Sequence, residues 1–140
     1  MKMMGWFTET KDKTAHPQVM IKVNAECDKD IVSLVLALNE LNSVITLDSC
    51  QHGAYGEAYV FFTYGTSWQE TGCLVSELAA CLRENGVYCE CILRLEWVGS
   101  NDRPRAKLVC DTGHVGGIAD IISSSAARIN LHMSGLIHGM

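Results

Sequence analysis

From residue 87 to 97 the chain alternates, with Val87, Cys89, Cys91, Leu93, Leu95 and Trp97 at one parity and Tyr88, Glu90, Arg94 and Glu96, joined by Ile92, at the other. Successive side chains of an extended chain point to opposite faces. This period of two therefore predicts a strand with one face on a core and the other in water or against a partner. Such a strand needs neighbours beside it and a second layer on its apolar side, and the rest of the chain is read for both.

Four further runs have strand character: residues 19–23, 44–48, 58–64 and 105–111, the third rich in aromatic and β-branched side chains. Between them lie helical periods. Ile31, Leu34, Val35, Leu38 and Leu41 recur at three or four after Asp28, which is placed as an N-cap. Ser67-Trp-Gln-Glu70 has the Ser-x-x-Glu form of a capping box and opens a second helix with the face Thr71, Leu74, Val75, Leu78, Cys81 and Leu82, stopped at Asn85-Gly86. Ile118, Ile121, Ile122, Ala126 and Ile129 mark a third, after which residues 131–140 are expected to fray. Residues 1–18 read as an N-terminal arm and 19–140 as a single α/β domain. The order strand, helix, strand, strand, helix, strand predicts an α+β fold, a ferredoxin-like βαββαβ core extended by a fifth strand and a C-terminal helix.

Composition narrows the function classes. With 48% hydrophobic and 19% charged residues the chain is globular rather than disordered. A net charge of −5 with only 11 Lys and Arg argues against general nucleic-acid binding, which rests on many contacts to phosphate. No apolar run is long enough to span a bilayer, and the first residues lack the apolar stretch of a signal peptide, so a cytoplasmic protein is expected. Seven scattered cysteines fit a reducing compartment and core packing better than a disulfide framework.

In the predicted layout the C-terminal ends of the first, second and fifth strands share one rim, which carries residues 24–28, 48–52 and 111–117. The predicted strand order 5-4-1-3-2 sets the last two about 19 Å apart. In the first of these two turns, Cys50 and His52 suggest a thiolate activated by an imidazolium, with Asp48, Ser49 and Gln51 beside them as ligand contacts; a structural turn explains the same residues. In the second, Asp111-Thr-Gly-His-Val-Gly-Gly117 runs from a strand into a helix, where backbone N–H groups and the positive end of the helix dipole favour an anion. Thr112, Gly113, His114, Gly116 and Gly117 are the contacts expected there, against the plain reading of a tight turn. A metal site on Cys89 and Cys91, or on His52 with His114, lacks the spacing of a zinc knuckle, so no metal is expected. Arg94, Arg105 and Lys107 are expected to pair with Glu90 and Glu96 across the last two strands. Tyr88 and Trp97 are placed to stack on a base or a second subunit.

The run Thr46-x-x-Ser49-Cys50-x-x-Gly53, followed by Ala58-Tyr-Val-Phe-Phe62, resembles the Ser-Cys turn of the wybutosine-synthesis tRNA methyltransferase family. It is also similar to small uncharacterised bacterial and phage proteins with a Leu-Asp-Ser-Cys-Gln turn. The resemblance covers about 20 residues and implies Ser49 and Cys50 at the site; the chain departs from the methyltransferase pattern at Asp48 and at Gln51 to Ala54. The residues taken together lead to the expectation of a domain that binds a nucleotide-like or other anionic small molecule at the strand-end rim, without obligatory chemistry. It is expected to be a homo-oligomer, because Tyr88, Ile92 and Val98 point outward and the fifth strand would be an open edge. The alternatives are an enzyme, by S-adenosylmethionine-dependent methyl transfer or catalysis at Cys50, and a protein-interaction module using the face of the last two strands.

Overall fold

The structure is a computed structural model that describes residues 31–50, 56–96 and 104–138. The expected arm 1–18, the strand 19–23, the Asp28 cap, Gln51 and His52 of the first turn, and Trp97 and Val98 all lie outside the described residues. Three helices and four strands follow in order: α1 (Val32–Asn39), β1 (Val44–Cys50), β2 (Glu57–Tyr64), α2 (Trp68–Glu84), β3 (Cys91–Glu96), β4 (Arg105–Asp111), a 3-10 turn (Thr112–His114) and α3 (Val115–His138).

Local chemistry accounts for the helices. Ile31, Leu34, Leu38 and Leu41, spaced for one face, are all buried around α1. Ser67 Oγ accepts the Glu70 N–H at 3.2 Å, as a capping box requires. The return arm differs from the expected box, because the Glu70 carboxylate takes the N–H of Thr66 at 2.7 Å, one residue earlier than the cap itself. At the other end of α2, Gly86 adopts a left-handed φ of 85°, and the N–H groups of Gly86 and Val87 return to the carbonyls of Arg83 and Leu82. That is the Schellman closure expected of Asn85-Gly86.

The strands form one antiparallel sheet in the order β1-β2-β4-β3 among the described residues. This replaces the predicted order 5-4-1-3-2. The expected edge strand, β4, is an inner one, paired on one side with β2 and on the other with β3. Its core-side residues Ala106, Leu108 and Cys110 are buried, as a central position demands, whereas on the same side of β3 Cys91 and Leu93 are only half-buried and Leu95 is 36% exposed. Strand β3 is also shorter than its alternation suggests. Cys91 already pairs with Cys110, one residue before β4 ends, so among the described residues no strand extends far enough to pair with Val87, Tyr88 and Cys89. They form a turn in which Tyr88 N–H donates to Glu90 Oε1 at 2.8 Å, and Cys89 is exposed instead of packed.

All three helices contribute to one core with the same sheet face: Val60, Phe62 and Leu108 meet Leu34, Leu78, Ile122 and Ile129. Helix α3 packs against both α1 and α2. It does not fray after residue 130, because Met133 is buried and Asn130 clamps the end of α1, accepting the Asn42 N–H at 2.8 Å and donating to the Glu40 carbonyl at 3.1 Å. No helix among the described residues is long and apolar enough to cross a membrane.

Candidate functional site

The observed order changes the geometry of the rim. β1 and β4 both run antiparallel to β2 and flank it, so their C-terminal ends lie at the same end of the sheet, two strand spacings or about 10 Å apart. Cys50 stands opposite Tyr59, which stands opposite Val109, and Glu57 stands opposite Asp111. The end of β1, with Asp48, Ser49 and Cys50, and the turn after β4, expected about 19 Å apart, are therefore neighbours within one chain. Asp48, Ser49 and Cys50 occupy the last three positions of β1. Register puts Asp48 and Cys50 on the face away from the helices and Ser49 on the helix side.

The Gly-rich segment differs from a long loop. After Asp111, only Thr112, Gly113 and His114 form the turn, while Gly116 and Gly117 already belong to the first turn of α3. None of these three glycines has a left-handed φ, and a Cβ added at any of them would meet nothing within 4 Å. Their lack of a side chain serves no internal contact. The Asp111 carboxylate makes no capping hydrogen bond to the turn it precedes. His114 is exposed and turns toward β3, where its imidazole is the smallest of three influences that hold the Glu90 carboxyl below the usual range, after the N–H groups of Tyr88 and of Glu90 itself.

The rim is not uniformly suited to anions. Glu57 and Asp111 sit side by side at the ends of β2 and β4, and a ligand there meets two carboxylates as well as the helix-start amides. Among the described residues, no three His, Cys, Asp or Glu side chains gather closely enough to hold a metal ion. Cys91 and Cys110 face each other across β3 and β4 on the core side. Burial and the neighbouring Cys110 push the Cys91 thiol up to about 12, and burial with Asp111 pushes Cys110 up to about 11, so neither offers a thiolate near neutrality.

A second feature was hidden from the sequence. On the face away from the helices, Tyr59 and Phe61 meet edge to face with centroids 5.6 Å apart, and the Lys107 Nζ lies 5.0 and 5.1 Å from their ring centres. Alternation in β2 puts both rings on one side, but only the β2–β4 register, Phe61 opposite Lys107, brings the ammonium over them. The expected cross-strand ion pairs take another form: Arg94 closes on Glu96 of its own strand at 2.6 Å. Register assigns to this face the cations Arg94, Arg105 and Lys107 and the carboxylates Asp48, Glu57, Glu96 and Asp111. No family model matches the chain, and no curated protein or solved structure matches it either.

Proposed function

We propose that this domain binds a small nucleotide-like ligand at the rim formed by Asp48, Ser49 and Cys50 together with residues 111–117, without obligatory chemistry. The observation that carries this reading is the placement of β1 and β4 on either side of β2, which brings the strand end Asp48, Ser49 and Cys50 to the same rim as residues 111–117. The amides at the start of α3 suit a phosphate or carboxylate, with Thr112 and His114 adding direction, and open space at Gly113, Gly116 and Gly117 lets the group approach the backbone. Glu57 and Asp111 suit hydroxyl or amino donors, which a nucleoside carries and a bare inorganic anion does not. The test is native mass spectrometry of the gently purified full chain, followed by a thermal-shift panel of mononucleotides, S-adenosylmethionine and inorganic phosphate. A bound adduct, or a shift with nucleotides exceeding that with phosphate, is expected. A chain that carries nothing and shifts with no member of the panel overturns the reading.

An enzyme is the competing proposal, supported by the half-buried Cys50 at the C-terminal end of β1 and by the resemblance of its turn. In that case Cys50 reacts with iodoacetamide faster than Cys89, which is more exposed, and His52→Ala slows it. Equal or slower labelling of Cys50 removes that alternative.

A further inference from the structure

We infer that the ligand is a purine nucleoside phosphate whose base stacks on Tyr59, on the sheet face away from the helices; this rests on the rim reading above and extends it inward along β2. Three observations carry it. Tyr59 and Phe61 are half-buried on that face, edge to face with centroids 5.6 Å apart, and the Lys107 ammonium lies 5.0 and 5.1 Å from their centres, so these rings are met from outside the core. The level of Tyr59 is apolar across the sheet, with Cys50 on one side and Val109 and Ile92 on the other. Tyr59, Val109 and Ile92 span three strands, about 10 Å, a floor that suits the two rings of a purine better than the single ring of a pyrimidine. Finally, the chemistry along this face toward α3 follows the order of the parts of a nucleotide. Two positions nearer the rim, about 7 Å from Tyr59, Glu57 faces Asp111 and offers acceptors for ribose hydroxyls. Thr112 and the amides at the start of α3 come next, where the phosphate belongs.

The Lys107 ammonium and a base compete for the same ring faces. The base prevails, because stacking on an aromatic ring is worth more than an exposed cation–π contact. Moved to the edge of the base, the ammonium donates to a ring nitrogen or carbonyl oxygen of the purine. Phe61, one level further from the rim, has Lys107 on one side and Asp48 on the other, a donor and an acceptor for the polar edge of the base. A longer single strand is the poorer occupant, because carboxylates outnumber cations on this face and successive phosphates would meet them.

The test is calorimetry on the full chain with adenosine, guanosine and cytidine 5′-monophosphates and with ribose 5-phosphate, which lacks the base. The wild type is compared with Tyr59→Leu and Tyr59→Phe, each checked by circular dichroism. One of the two purine nucleotides is expected to bind at least about tenfold more tightly than ribose 5-phosphate, and more tightly than the cytidine nucleotide. Tyr59→Leu should erase that margin and leave the affinity for ribose 5-phosphate as it was, while Tyr59→Phe, which keeps the ring, should retain the margin. In the wild type, upfield shifts of the Val109 methyl signals on adding the nucleotide should place the base beside Tyr59, a readout that needs no variant to fold. A wild type that binds ribose 5-phosphate, but the purine nucleotides no more tightly, overturns the inference and leaves the rim reading standing. So does a purine margin that survives Tyr59→Leu, or a cytidine nucleotide bound as tightly as the purines. A wild-type dimer that Tyr59→Leu disperses and nucleotides do not would assign the face to a second copy and overturn the inference too. If Gly116→Val leaves nucleotide affinity unchanged while Tyr59→Leu lowers it, the base site stands and the phosphate site at α3 falls. A chain that binds none of the four compounds overturns both.

Discussion

The Thr71 hydroxyl closes on both main-chain groups of Tyr64, accepting its N–H at 3.1 Å and donating to its carbonyl at 3.0 Å. Thr71 is the one buried polar side chain among the described residues, and it joins the first turn of α2 to the end of β2. Thr71→Val keeps the shape but leaves the Tyr64 amide buried without its partner, and should cost about 2–3 kcal/mol. Thr71→Ser keeps the hydroxyl and loses a methyl, for about 1 kcal/mol. Urea unfolding of the two variants separates hydrogen bonding from packing.

Two left-handed glycines give a second test. Gly65 has φ 68° and Gly86 φ 85°, so both resist a side chain. A Cβ at Gly86 meets nothing, whereas one at Gly65 runs into the Glu70 carboxylate that holds the Thr66 N–H. Gly86→Ala should therefore cost about 1 kcal/mol and Gly65→Ala about 2–3 kcal/mol, the difference being the lost helix cap. If the two fall together in thermal melts, the Glu70 contact does not hold the helix start.

The facing thiols of Cys91 and Cys110 make stability fall in alkali. Both are raised in the folded chain, to about 12 and about 11 from an ordinary 9.0, so the folded state holds protons that the unfolded state releases. Their contribution is complete below pH 9 and is lost as pH rises through 11 and 12. Denaturation midpoints should decline across that window, and less steeply in a Cys91→Ala, Cys110→Ala protein. At neutral pH the exposed Cys89 should be alkylated while this pair stays protected until the chain unfolds.

What the sequence made legible was local. The Ser67 cap, the Asn85-Gly86 stop and the buried face of α2 are each decided by residues within one or two turns, and the structure contains all three. The place of β4 was not legible, because pairing with β2 is a contact between residues some fifty positions apart, and an alternating strand fits an edge or a centre equally in pattern. The same reason hid the Lys107 ammonium over Tyr59 and Phe61. Residues 87–90 show the converse error: their alternation continues past the point where β4 supplies a partner, and period without pairing makes a turn. For the rim, residue type alone marks Asp48 to Cys50 and residues 111–117, and only the strand order brings these two stretches near each other.

Gly116 tests what that proximity is for. It lies in the first turn of α3 without a left-handed φ, and a side chain there meets nothing. Backbone entropy alone therefore predicts that Gly116→Ala leaves the fold intact or stabilises it by up to about 1 kcal/mol. If an anionic group rests on the helix-start amides, the bulkier Gly116→Val instead blocks its approach, and binding should fall sharply in a protein as stable as the wild type. His114→Ala, which removes one exposed donor, should cost only about 1–3 kcal/mol of affinity. Calorimetry with the ligand recovered from the native protein reads both. A Gly116→Val chain that binds as tightly as wild type would mean that the turn merely connects β4 to α3, and the binding residues would then have to lie at Asp48, Ser49 and Cys50.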